Sequence, residues 1–175
     1  MIWDRTMLTD KNMTDHSELA FRAFIRATGL FRGVMDPYFS QFGISGPQWG
    51  VLRQLHRAEG EGHKGLRLAD LGQRLLVKPP SVTNLVDRLE RMGLVARKAE
   101  SADHRAKQVS LTRAGRQLVM RILKQHPTQI RTVLAGLNES EQAELCELMK
   151  KFASHLEAMG NGKARYHGER GNGHE

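Results

Sequence analysis

The residues best suited to chemistry lie between positions 80 and 107, and the chemistry they suit is hydrogen bonding and charge neutralisation, not bond making. Pro80, Ser81, Thr83, Asn84, Arg88 and Arg91 fall on one side of a helical repeat whose other side carries Val82, Leu85, Val86 and Leu89. Short hydroxyl and amide side chains let a helix backbone approach the floor of a DNA major groove. There Asn84 suits the two-point pattern of adenine, and Ser81 and Thr83 suit bases or phosphates. Arg88 and Arg91 suit phosphates, and they are equally compatible with an ordinary solvated surface.

Downstream, "SADHRAKQVSLT" (101–112) sets Asp103 and Arg105 in a turn-like stretch that runs into alternating apolar and polar positions through Lys107. An arginine at an exposed ribbon tip suits the negative potential of a minor groove, and Asp103 suits holding the turn or that guanidinium in one orientation. An incidental surface ion pair is the alternative reading of the same two residues.

Other chemistries lack their residues. Glu59, Glu61 and His63 alternate along the Gly-rich "EGEGHKG" without a dedicated metal-ligand spacing, so a solvated connector is expected. The eight histidines show no HxxxH or cysteine-paired spacing, and no Ser/His/Asp set, paired carboxylates or phosphate-cradling glycine loop stands on a suitable element. The expectation is therefore no enzyme, no metal and no cofactor. The single Cys146 cannot form an internal disulfide, which fits a reducing compartment, and it reads as a small buried or interfacial apolar residue.

The elements that must position the polar face follow from the wider sequence. The chain has 175 residues with 27 Lys and Arg against 19 Asp and Glu, a net charge of +8 that favours a polyanionic partner, nucleic acid first. No apolar run approaches the roughly 20 residues that cross a bilayer, and the charged start is unlike a leader, so a cytoplasmic location is expected. Asp15 and Glu18 read as a capping box for a helix carrying Ala20, Phe24, Ala27, Phe31 and Val34 up to Pro37. "FGISGPQW" breaks the chain before a helix marked by Trp49, Leu52 and Leu55. Leu68, Leu71 and Leu75 mark a short helix, "VKP" a turn, and Pro80 the first position of the polar-faced helix. Gly93 suits the left-handed stop of that helix, with Leu94 folding back on its last turn. Leu94, Ala96, Val109 and Leu111 then alternate as a two-stranded ribbon with one buried face. Thr112 caps a helix carrying Leu118, Val119, Ile122 and Leu123, which Pro127 should kink or break near His126. Asn138 with Glu141 caps the last helix, carrying Leu145, Leu148, Met149, Phe152 and Leu156.

The fold class expected is mainly α with a small β-ribbon: a winged helix-turn-helix lobe over about 45–112, flanked by dimerisation helices over 15–36 and 113–158. The apolar stripes of the flanking helices suit burial against a second copy, the alternative being an intramolecular bundle. Residues 1–14 show no sustained period and read as a flexible N-terminus, and the Gly-rich, charged 159–175 as a disordered tail. A small-molecule pocket would form where the first two helices meet the lobe, lined by Tyr38, Phe39, Trp49 and His56, although core packing accounts for the aromatics equally well.

"LADLGQRLLVKPPSVTNLVDRLERMGLVARKAESADHRAKQVSLTRAG" (68–115) resembles the winged helix-turn-helix of the MarR family of bacterial transcription regulators. The family's signature of D-x-R, a V-x-L-T strand and a glycine is matched by Asp103, Arg105, Val109, Leu111, Thr112 and Gly115, and the flanking helices extend the likeness to about 15–158. The resemblance implies that the helix from Pro80 to Met92 is the recognition helix and Arg105 the wing-tip minor-groove contact. It also implies a homodimer on pseudo-palindromic operators that usually represses and often releases DNA on binding a small anionic or phenolic effector. Pro127 departs from the long uninterrupted helix usual in the family, which bears on the spacing between lobes. The function expected is a homodimeric DNA-binding transcription regulator; the alternative is a protein-interaction module using the winged lobe without specific DNA binding.

Overall fold

A computed structural model describes residues 15–99 and 107–168, with side chains placed for 15–98 and 108–160. The elements run α1 (His16–Ser40), α2 (Gly46–Gly60), β1 (Leu66–Arg67), α3 (Leu68–Leu75), α4 (Pro79–Arg91), β2 (Val95–Ala99), β3 (Lys107–Leu111), α5 (Arg113–Leu134) and α6 (Glu139–Gly168). The fold is a mainly helical winged helix with a small antiparallel sheet, and the chain divides into two compact units after Pro127.

In the first unit, Asp15 starts α1 by accepting hydrogen bonds from the Ser17 amide at 2.9 Å and its hydroxyl at 2.6 Å. Glu18 does not complete the expected capping box; it pairs with Arg22 one turn on, at 2.7 Å. The helix also runs through Pro37 to Ser40, because a proline removes only one bond of the ladder when the turns on both sides are held. A full capping box opens α2: the Ser45 amide donates to Gln48 Oε1 at 2.8 Å and the Gln48 amide donates to Ser45 Oγ at 3.4 Å.

The core of the lobe is built where α2, α3, α4 and the sheet meet. Val51, Leu52, Leu55, Leu71, Val82, Val86, Leu89, Val95 and Val109 are all buried there, and α5 adds Val119 and Ile122. These apolar groups remove enough surface from water to hold two short helices that would be marginal alone.

The sheet has three strands in the order β1-β3-β2, one more than the expected ribbon. In β1 only Leu66 and Arg67 pair, with Val109 and Gln108, and two residues are too few to show an alternation in sequence. In β3 Val109 and Leu111 are buried as expected, but the phase of β2 is shifted by one. Val95 pairs with Leu111 and Arg97 with Val109 on the core face, while Ala96 pairs with Ser110 on the other. Leu94 is held in the preceding turn by its amide bond to the Leu89 carbonyl, so the strand starts one residue later than expected and its faces exchange.

Pro127 does not break α5, which continues as one helix from Arg113 to Leu134. In the second unit Asn138 and Glu141 form the expected capping box, with reciprocal bonds of 2.8 and 3.0 Å. Gln142 Nε2 fastens the turn by donating to the carbonyls of Leu137 at 2.8 Å and Leu134 at 3.4 Å. The helix α6 extends to Gly168, ten residues past the expected end of the ordered domain, since local backbone bonding needs no apolar period. Cys146 is exposed on α6 in this single chain, so of the two placements expected, buried or interfacial, it is not buried within the chain. No helix among the described residues is long and apolar enough to cross a membrane.

Candidate nucleic-acid interface

The helix α4 follows a tight turn after α3 and begins at Pro79, with Lys78 in the extended conformation of an N-cap. Val82, Val86 and Leu89 are fully buried and Leu85 is half-buried, so the opposite side must face solvent. On that side Pro80, Ser81, Asn84, Arg88 and Arg91 are exposed. Thr83 is half-buried and its hydroxyl donates to the Pro79 carbonyl at 3.1 Å, which leaves it only an acceptor to offer. Arg91 Nε donates to the Asp87 carbonyl at 3.4 Å. The result is a helix face of small hydrogen-bonding groups at one end and cations at the other.

Arg97 ties this helix to the ribbon. Its guanidinium, mostly buried, bonds the carboxylates of Asp87 and Glu90 on α4, and its amide donates to Glu90 Oε1 at 3.2 Å. Burial opposes the charge of Arg97, but the two carboxylates outweigh it and hold the guanidinium above its ordinary pKa. This single positive charge offsets part of the negative charge of the two acids of α4 nearest the ribbon. Arg97 was missed in sequence because the expected phase put Ala96 on the core face.

The base of the ribbon is closed by residues before and after it. Gly93 adopts φ +70° after α4, and the Thr112 amide donates to the Leu94 carbonyl at 3.1 Å. The Thr112 hydroxyl donates to the Gly93 carbonyl at 2.7 Å and accepts from the Gly115 amide at 3.0 Å, so it caps α5 as expected while clamping the end of α4. Asp103 and Arg105 lie outside the described residues, and for Lys107 only the backbone is placed, opposite Ala99.

The acidic residues expected in a loop stand at the end of α2, Glu59 inside the helix and Glu61 at its C-cap, and both are engaged in ion pairs. Glu59 takes Arg116 at 2.7 Å, and Glu61 bridges Arg57 at 3.0 Å and Arg74 at 3.1 Å. Arg74 first, then burial and Arg57, set the pKa of Glu61, with a net shift below the usual carboxylate range. Among the described residues no cluster of three metal-binding side chains forms.

Tyr38, Phe39 and Trp49 are buried together, and His126 of α5 completes their cluster. Its ring stacks on Tyr38 at 5.8 Å and meets Trp49 edge-on at 5.4 Å. His56 is half-buried on α2. Tyr38 Oη and His126 Nδ1 are buried without a protein hydrogen-bond partner. Burial, and secondly the charge of Arg53, lower the pKa of His126, while burial raises that of Tyr38. No sequence spacing links positions 38, 49 and 126, so His126 could not be found as part of this group beforehand.

The MarR family model matches residues 42–106, from the start of the loop before α2 into the ribbon. The transcriptional repressor MdtR of Bacillus subtilis is 30% identical over 115 residues, which are 66% of this chain and 71% of that relative. This chain belongs to the MarR family. The regulator MhqR of the same organism is 28% identical over 151 residues, 85% of this chain and 99% of that relative. Among solved MarR-family structures, Staphylococcus aureus MepR in complex with DNA superposes with a TM-score of 0.68 at 26% identity, covering 82% of this chain and 99% of MepR. Membership makes the chain a transcription regulator, and α3 with α4 its helix-turn-helix.

Proposed function

We propose that the protein is a homodimeric, sequence-specific repressor that binds a pseudo-palindromic operator and releases it when a small anionic or phenolic effector binds. The observation that carries this reading is the face of α4, where Ser81, Asn84, Arg88 and Arg91 are exposed over a buried Val82, Val86 and Leu89. Ser81, Thr83 and Asn84 read base edges, Pro80 sets the start of the helix against the groove, and Arg88 and Arg91 take phosphates. Arg105, oriented by Asp103 and assisted by Lys107, enters the adjacent minor groove.

Dimerisation is supported by the apolar side chains the single chain leaves in water. On α1 these include Phe21, Leu30, Phe31 and Val34, and on α6 Leu148, Leu156 and Met159. A two-fold axis would place two recognition helices in successive major grooves about 10 base pairs apart. Effector relief is supported by the buried, unpaired polar atoms of Tyr38 and His126 beside Phe39 and Trp49, with His56 about two turns beyond Trp49 on α2.

Selection of bound duplexes from a random pool tests the whole reading. An inverted repeat with affinity falling steeply with salt is expected. Enrichment of no duplex, or binding indifferent to salt, would leave the winged lobe as a protein-interaction module.

A further inference from the structure

The turn between α3 and α4 breaks a local rule that the rest of the chain obeys. Gly43, Gly62 and Gly93 occupy three left-handed positions, with φ of +74°, +88° and +70°. The fourth such position among the described residues is Leu76, at φ +54° and ψ +36°. A Cβ crowds the following carbonyl in that conformation, so leucine there is strained where glycine would not be. Packing within the chain does not offset this, because Leu76 is 83% exposed, more than any other large apolar residue described. Its neighbour Val77 is 37% exposed. The turn is itself well held, with the Leu76 amide donating to Gln73 and the Val77 amide to the Gly72 carbonyl at 3.1 Å. Lys78, Pro79, Pro80 and Ser81 follow, all exposed at the start of α4.

Two unfavourable features thus coincide at one residue, beside the end of the helix that enters the groove. Strain kept without an internal gain is a mark of external function. We infer that Leu76 is a specificity-determining contact whose apolar side chain meets the 5-methyl group of a thymine at the rim of the major groove read by α4. The major-groove edges of the bases present polar atoms apart from that methyl, and a leucine gains nothing against a phosphate. The inference rests on the DNA-binding reading above.

The test uses the duplex that the wild-type chain enriches from a random pool, and copies in which single thymines are replaced by uracil. Wild type is expected to lose about fourfold in affinity at one thymine per half-site, the effect of removing one buried methyl. Leu76→Gly and Leu76→Ala should bind the parent duplex at least that much more weakly and should no longer distinguish uracil from thymine there. Leu76→Gly should nevertheless melt at the wild-type temperature or above, since it relieves the backbone, which separates lost contact from lost fold. Variants that bind the parent duplex as tightly as wild type, or that still distinguish the two bases, overturn the inference while leaving DNA binding intact. A wild-type chain that enriches no duplex overturns both.

Discussion

A Cβ on Gly115 would stand 2.0 Å from the carbonyl oxygen of Leu94, well inside van der Waals contact with backbone that cannot rotate away. The glycine therefore lets the first turn of α5 close onto the turn that ends α4, and it explains in steric terms why this position of the signature has no side chain. That carbonyl is already committed to the Thr112 amide, so a shift would also disturb the clamp at the ribbon base. Gly115→Ala is expected to destabilise the protein by about 3 kcal/mol, the upper part of the range for overpacking. In a thermal melt this corresponds to a fall of roughly 6–12 °C for a chain of this size. A melting temperature within a degree or two of wild type would show that the helix can move aside freely.

Arg97 offers a second test, because it joins α4 and the ribbon through charge. Arg97→Met leaves Asp87 and Glu90 uncompensated on the helix proposed to approach phosphate. Both carboxylates are partly exposed, so the expected loss of stability is modest, about 1 kcal/mol. The loss of DNA affinity should be larger, and greatest at low salt where repulsion is least screened. Adding Asp87→Asn and Glu90→Gln to Arg97→Met should recover affinity if repulsion is the cause. Gel-shift titrations at two salt concentrations check this, and equal loss at both would refute the electrostatic account.

How far these features could be read in advance depends on how local their causes are. The recognition helix was legible because Val82, Val86 and Leu89 recur at helical spacing and one face of such a helix has to be buried. The stops at Gly93 and the cap at Asn138 were legible because backbone geometry at a helix end selects few residue types. The two residues of β1 carry no period, and the phase of β2 turned on whether Leu94 lay inside or outside the strand. The pairing of Glu59 with Arg116, 57 residues apart, and the stacking of His126 on Tyr38 depend on tertiary placement, which local patterns do not encode. The passage of α5 through Pro127 was unexpected because the loss of one ladder bond is outweighed by the turns around it.

His126 makes stability depend on pH in a definite direction. Burial, and secondly Arg53, hold its folded pKa below the ordinary value of 6.5, so the unfolded chain binds the proton more readily. The contribution of the neutral ring is complete above about pH 6.5 and is lost as pH falls through the lower folded pKa. The wild-type melting temperature should therefore drop between pH 7 and pH 5 by more than that of His126→Phe, which keeps a ring against Tyr38 and Trp49. Parallel pH profiles for the two proteins would remove His126 as the cause.

The exposed apolar face of α1 predicts how the chain behaves in solution. Phe31 and Val34, each 52% exposed, form part of an apolar strip on α1 that suits burial against a second copy. Phe31→Glu should shift the protein from dimer to monomer in sedimentation analysis at micromolar concentration, since a buried unpaired carboxylate is strongly unfavourable. DNA affinity should fall with it, because a monomer engages only one half-site. A wild-type chain that sediments as a monomer at all concentrations would contradict the dimer.

The last prediction separates reading from holding along α4. Asn84 is exposed near the start of the helix, where an amide can make the paired contact with adenine, and Arg91 lies two turns further on. Asn84→Ala should relax preference at one base pair in each half-site by about 1–3 kcal/mol and leave binding to random duplex nearly unchanged. Arg91→Ala should weaken binding to all duplexes alike and reduce the salt slope by about 1 per subunit, as one phosphate contact is lost. Measured on the same set of duplexes at several salt concentrations, the two variants should change different quantities. If both instead lower affinity uniformly, α4 contributes charge alone, and base recognition must lie elsewhere on the lobe.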